Sequence, residues 1–260
     1  MVSQRRRLDA ELVRRGLAAE KEAAQLLVAA GRVTVGGAPA PNPARMVAAG
    51  DSIQLLAPPK RYVSRGGLKL EAALAAFALD VTGRRCLDAG ASTGGFTDCL
   101  LQHGASEVVA IDVGYGQLHE RMRTHPQVHS MERVNVRALD QHEVGAPFSC
   151  VVADLSFISL RTVAASLLAV CEPGADLVVL VKPQFEAEHA IVSRGNGIVT
   201  DPAVWRRTVD DVIDVFSVLG AQARGEVQSP LKGARGNTEF LLWLQAAATT
   251  SMTSAAVHTP

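Results

Sequence analysis

The chain alternates short apolar runs with amphipathic stretches, and the pattern changes once. In residues 1–57, LDAELVRRG and EKEAAQLLVAAG place Leu8, Leu12 and Val13, then Ala23, Leu26, Leu27 and Ala30, at helical spacing, and each stretch ends at a glycine, Gly16 or Gly31. RVTV then alternates as a strand before Gly36 and Gly37, and a proline-rich loop leads to a second strand, SIQLL. Beyond residue 64 the apolar runs RRCLDAG, SEVVAIDVG, VHSMERVN, FSCVVADLS, ADLVVLVKP, ARGEVQS and TEFLLWLQ read as seven strands. Helical stretches fall between them, at Leu68–Leu79, Phe96–His103, Gln117–Arg123, Thr162–Val170 and Ala203–Leu219, the last opened by Asp201 as cap and Pro202 at its first position. Strand–helix alternation predicts an α/β, doubly wound, Rossmann-like sheet over 65–246, with parallel strands and helices on both faces. The predicted organisation is a small α+β domain over 1–57, a linker at 58–64 beginning with Pro58 and Pro59, the large domain, and a disordered small-residue tail at 247–260.

Composition narrows the class. With 260 residues and 48% hydrophobic side chains the chain can bury a large core. No apolar stretch is long enough to cross a membrane, and no apolar run follows the basic start, so a cytoplasmic protein is expected. The four cysteines lack CxxC spacing and are expected to be buried thiols, with no metal site. The net charge of zero conceals an asymmetry: residues 1–62 hold ten Lys/Arg against five carboxylates, leaving 16 basic and 21 acidic residues in the rest. A basic module on a mildly acidic domain points to a polyanion partner. Helix order, first-helix arginines and the following strand resemble the S4 RNA-binding domain over about residues 6–57. That resemblance assigns RNA contact to Arg5, Arg6, Arg7, Arg14 and Arg15, although Glu20-Lys21 stand where many S4 domains carry Ser-Arg.

The candidate chemistry begins at DAGASTGGFTDCL, residues 88–100, at the carboxyl end of the first strand of the large domain, where ligands bind in such sheets. Its glycines, Gly90, Gly94 and Gly95, do not follow G-x-G-x-x-G, so a nucleoside poor in phosphate fits better than a dinucleotide. Asp112 ends the second strand about 20 residues on, where a carboxylate can take both ribose hydroxyls. Acidic strand end, glycine loop and second acid together resemble the S-adenosylmethionine-dependent methyltransferases, with Asp88, Gly90, Ala91, Ser92, Gly94, Gly95, Asp112 and Asn135 on the cofactor. Asp154 and Lys182 end the fourth and fifth strands. The chain has Asp154-Leu155-Ser156-Phe157 where enzymes of amines carry (Asn/Asp)-Pro-Pro-(Tyr/Phe), and a lysine beside a carboxylate suits a hydroxyl acceptor.

VSRGGLKLEAAL, LDAGASTGGFTD, DVGYGQL, VADLSFISL, LVKPQFE and GNTEFLLWL, behind an S4-like head, resemble the TlyA family of ribosomal RNA 2′-O-methyltransferases, historically also called hemolysins. The resemblance runs to about Gln245 and implies a Lys-Asp-Lys-Glu tetrad, shared with FtsJ/RrmJ-type enzymes, at Lys69, Asp154, Lys182 and Glu239. It implies methylation of a cytidine 2′-hydroxyl in ribosomal RNA, within ribosomal subunits and in one or both of them, by a monomer. Phe157 is expected to stack on a flipped base, Arg133 and Arg137 to extend the RNA track, and Asn135 to read the cofactor adenine. Lys60-Arg61-Tyr62-Val63 stands where the family often has Arg-Ala-Trp-Val. Three other readings stay open: a resistance enzyme specialised to one ribosomal site or another structured RNA, a non-catalytic RNA-binding protein, and direct membrane lysis.

Overall fold

In the computed structural model, which describes residues 5–57 and 61–248, the polypeptide divides into two units, Met1–Lys60 and Arg61–Pro260. The first consists of β1 (Arg6–Arg7), α1 (Leu8–Arg14), α2 (Lys21–Ala29), β2 (Val33–Val35), β3 (Ala38–Pro39), β4 (Met46–Val47) and β5 (Ile53–Leu55). Strand order is β3-β2-β5 in one sheet and β1-β4 in another. Leu8 and Leu12 of α1 pack on Ala24 and Val28 of α2 and on Val33, Val35, Val47 and Ile53 of the strands. Gly36 and Gly37 join β2 to β3 with φ of 62° and 81°, a turn whose two left-handed residues match the twist of a tight hairpin.

The second unit runs α3 (Gly66–Phe77), β6 (Arg85–Ala89), α4 (Gly95–Gln102), β7 (Glu107–Asp112), α5 (Glu120–Arg123), β8 (Val128–Glu132), β9 (Phe148–Ala153), α6 (Ala164–Ala169), β10 (Cys171–Val181), α7 (Pro183–Glu186), α8 (His189–Arg194), α9 (Pro202–Val218), β11 (Gln222–Gln228) and β12 (Phe240–Gln245). Its seven strands lie in the order β11-β12-β10-β9-β6-β7-β8. Side chains alternate across the sheet. Leu87, Val109, Val151, Leu177 and Val179 meet α6 and α9 on one face, while Cys86, Val108, Cys150, Val178 and Leu180 meet α3 and α4 on the other. The sheet is thus doubly wound, as expected.

Three details differ from the sequence expectation. First, the sheet is mixed: β12 is antiparallel to both β10 and β11. Val181 pairs with Phe240, so the start of the reversed strand lies at the carboxyl edge of β10, and Glu239 and Lys182 end up at the same edge. Secondly, α7 and α8 occupy a stretch that carries no helical periodicity long enough to read. Thirdly, the second unit begins before residue 65: Tyr62 is 2% exposed and packs in the α3–α4 core, and the Val63 amide donates to Asp98 Oδ2 at 2.8 Å. Tyr62 is apolar bulk for that core, so residues 62–64 of the expected linker belong to the second unit, and residues 58–60 lie outside the described residues. The expected tail lies, from residue 249, outside the described residues.

Candidate active site

The glycine loop is shaped by close approach. Gly90 has φ 84°, and a Cβ there would sit 2.8 Å from the Asp154 carbonyl oxygen, so the turn after β6 lies against the end of β9. Gly94, φ 88°, precedes α4, and a Cβ there would press on Leu118 and Met122. Only glycine takes this backbone without strain at so small a distance. Asp112 ties the loop down, accepting from the Ser92 amide at 2.8 Å and the Gly114 amide at 2.7 Å. Asp88 lies beneath the loop rather than on the cavity wall: it is fully buried, Thr97 Oγ1 donates to its Oδ2 at 2.6 Å, and its Oδ1 has no partner. Burial pushes its carboxyl up to about 7, against the Thr97 hydrogen bond and with help from the Asp154 charge.

A cavity of about 560 Å³ opens at the carboxyl edge, and its lining includes Gly90–Thr93 together with Lys69, Asp154, Lys182 and Glu239. The four side chains form two ion pairs. Lys182 Nζ is 2.5 Å from Asp154 Oδ1, and Lys69 Nζ is 2.5 Å from Glu239 Oε2. Lys69 and Glu239 are 11% and 3% exposed, so each neutralises a charge that is largely withdrawn from water. Lys182 Nζ also donates to Ser156 Oγ at 3.1 Å and lies 5.8 Å from the centre of the Phe185 ring. Phe185 in turn meets Phe157 with ring centres 5.3 Å apart. Phe157 is 89% exposed and has φ 62°, leaving one ring face free at the cavity wall. A smaller hollow adjoins the same loop, between Asp112, Gly114, Gln117 and Glu132.

The remaining expected site residues are distributed differently. Asn135 lines neither hollow; its side chain accepts from the Arg137 amide at 3.0 Å and starts a short 3-10 turn, because a turn asparagine satisfies its nearest free amide first. Arg133 is exposed and its guanidinium lies 4.6 Å over the Tyr115 ring, and Arg137 is exposed. In the first unit, Arg5, Arg6, Arg7 and Arg14 are exposed. Two buried acids organise this surface: Arg7 pairs with Asp9 at 2.7 Å, and Arg14 and Arg15 pair with Glu11 at 2.6 and 2.8 Å. Arg15 also donates to the carbonyls of Asp51 and Ala49 at 2.8 and 2.9 Å, so its guanidinium is spent inside the unit. Sequence reasoning missed Arg65, Lys232 and Arg235, three cations on the cavity wall, and the Phe185 ring. The only signal for the first three was their closeness to Lys69 and Glu239 in the chain.

Among the described residues no helix is long and apolar enough to cross a membrane, and no three His, Cys, Asp or Glu side chains converge as a metal site. Residues 62–246 match the FtsJ-like methyltransferase family, and residues 6–53 match the S4 domain. The chain is 49% identical over 245 residues to the 16S/23S rRNA (cytidine-2′-O)-methyltransferase TlyA of Mycobacterium tuberculosis, spanning 94% of this chain and 91% of that protein. It is 38% identical over 236 residues to Hemolysin A of Brachyspira hyodysenteriae, spanning 90% and 98%. A solved structure of a hemolysin-named protein from Streptococcus thermophilus superposes with a TM-score of 0.70 at 38% identity, covering 95% of this chain and 90% of that one. With a glycine loop, a lysine–carboxylate cavity and these relatives in agreement, the chain belongs to the FtsJ-like methyltransferases, and within them to the S4-bearing TlyA family.

Proposed function

We propose that this protein transfers a methyl group from S-adenosylmethionine to the 2′-hydroxyl of cytidine in ribosomal RNA, acting in the cytoplasm as a monomer on ribosomal subunits. The observation that carries this reading is the Lys182–Asp154 pair, 2.5 Å apart, lining the same cavity as the glycine loop. The relatives support the substrate: the Mycobacterium tuberculosis protein is named for 16S and 23S rRNA cytidine-2′-O methylation.

The residues present fit the cofactor. The loop wall of the cavity is backbone where a Cβ at Gly90 would collide, and Asp112 retains unused lone pairs beside the adjoining hollow for two ribose hydroxyls. Ala91 and Ser92 line both spaces, and Gly94 and Gly95 set the path of the loop into α4. When bound, S-adenosylmethionine supplies a methyl carbon on a sulfonium, ready for in-line displacement. Lys182 then holds the ribose oxygen. Nζ gives one proton to Asp154 Oδ1 across 2.5 Å and, then a neutral amine with a free lone pair, takes the hydroxyl proton as the ribose oxygen bonds to the methyl carbon. The group that would leave is the neutral thioether, which would keep the electron pair of the C–S bond. Lys69, fixed by Glu239, orients the ribose, and Phe157 offers its free face to the flipped base. Arg5, Arg6, Arg7 and Arg14 of the first unit, with Arg133 and Arg137 of the second, bind phosphates.

Purified protein incubated with ribosomal subunits, naked rRNA and methyl-labelled S-adenosylmethionine tests this directly. Label in cytidine ribose is expected. Its absence from all of these RNAs refutes the reading.

A further inference from the structure

The chemistry of the cavity depends on two segments that leave neighbouring parallel strands: 154–161 after β9 and 182–186 after β10. The motifs that carry Asp154 and Lys182 continue past them, to Ser159-Leu160 and to Glu186, and these ends meet. Glu186 is 3% exposed, an environment in which a carboxylate persists only with partners. Its partners all come from the other segment. Ser159 Oγ donates to Oε2 at 2.5 Å, the Leu160 amide to Oε1 at 2.7 Å, and Arg161 Nε to Oε2 at 3.3 Å, while Arg161 Nη2 donates to the Glu186 carbonyl at 2.7 Å.

These bonds close a ladder. Asp154 pairs with Lys182, Ser156 accepts from Lys182, Phe157 packs on Phe185, and Ser159 and Leu160 bind Glu186. In the middle of the ladder Phe157 holds φ 62°, a left-handed conformation that a bulky residue keeps only where its surroundings over-determine it. The bonds to Glu186 begin two residues later. Without them the segment is free to relax, and both the ring face and the oxygen that receives Lys182 Nζ move.

We infer that Glu186 is a positioning residue for methyl transfer: by clasping Ser159, Leu160 and Arg161 it holds Phe157 exposed and sets the place of the Lys182 ammonium. The inference rests on the methyl-transfer reading above. Glu186→Ala should lower kcat/KM on ribosomal subunits roughly 100-fold, the scale of an ångström misplacement at a reacting centre. Glu186→Gln keeps a carbonyl for the Leu160 amide but puts a donor where Ser159 Oγ and Arg161 Nε donate, and should recover part of the loss, to within about tenfold of wild type. Kd for S-adenosylmethionine should stay within about twofold in both variants, since the glycine loop is carried by β6 and α4. In a Phe157→Ala background the Glu186→Ala loss should shrink at least tenfold, because coupled sites are not additive. A merely structural carboxylate gives the same loss in both backgrounds.

Hydrogen exchange reads the clasp without any turnover: the Leu160 amide should exchange at least tenfold faster in Glu186→Ala, with β6 and β7 unchanged. Should that variant fail to fold, Ser159→Ala carries the same measurements with a several-fold loss. Unchanged kcat/KM in Glu186→Ala, or an equal loss with and without Phe157, overturns the inference. A wild-type protein that methylates nothing, with Leu160 protected by Glu186, instead overturns the methyl-transfer reading on which it rests.

Discussion

Replacing Asp88 with asparagine isolates one consequence of burying a carboxyl beneath the glycine loop. In the folded protein this group is raised from 3.8 to about 7 by desolvation. The folded state therefore holds a proton that the unfolded chain releases near its ordinary value. Stability from this group is complete below pH 4, falls as pH rises through the window between about 4 and 7, and is level above it. A gap of about three units corresponds to roughly 4 kcal/mol across the whole window, and to about 2–3 kcal/mol between pH 5 and 8. Asp88→Asn keeps the shape and an acceptor for Thr97 Oγ1 but carries no proton to lose. Its own cost, an amide nitrogen in place of the unpartnered Oδ1, does not vary with pH. Urea unfolding of the cofactor-free proteins at pH 5, 6.5 and 8 should show the variant gaining on wild type by about 2–3 kcal/mol between the extremes. A stability difference constant to within about 0.5 kcal/mol over that range refutes the assignment of a raised carboxyl to Asp88.

Other expectations follow from the same geometry. Lys69→Met leaves Glu239 buried without its cation and should cost about 3–5 kcal/mol by thermal unfolding; adding Glu239→Gln should restore most of that stability but no activity. Gly90→Ala forces a Cβ towards the Asp154 carbonyl and a left-handed alanine, and should cost at least about 2 kcal/mol while weakening S-adenosylmethionine binding measured by calorimetry. Arg14→Ala should lower RNA affinity and reduce the slope of log Kd against log salt by about one, whereas Arg15→Ala should act chiefly by destabilising the first unit, by about 1–3 kcal/mol.

The legibility of this site in the sequence divides along physical lines. Asp154 and Lys182 were visible because parallel neighbours end at the same edge, so an acid and a base just past two apolar runs must meet. Lys69 and Glu239 were not: one sits on a helix and the other before a strand, 170 residues apart, and only the family resemblance joined them. A wholly parallel sheet would have put the start of the last strand at the far edge. Nothing in TEFLLWLQ reports the reversal, because alternation is the same in either direction. The short helices α7 and α8 fall below the length at which periodicity speaks, which hid Phe185 and the role of Glu186. Tyr62 and Arg15 look like linker and RNA-facing residues by type; only packing shows that one belongs to a core and the other to the carbonyls of Asp51 and Ala49.

The central claim, that Lys182 in the same cavity as the glycine loop drives methylation of a ribose hydroxyl, is tested most directly by nucleoside mass spectrometry with reverse-transcription mapping. Ribosomal RNA treated with wild-type protein and S-adenosylmethionine should contain 2′-O-methylcytidine at defined positions, and RNA treated with folded, cofactor-binding Lys182→Ala should contain none above background. Wild-type levels of 2′-O-methylcytidine from Lys182→Ala, or a methyl group on a base instead of the ribose, would contradict it.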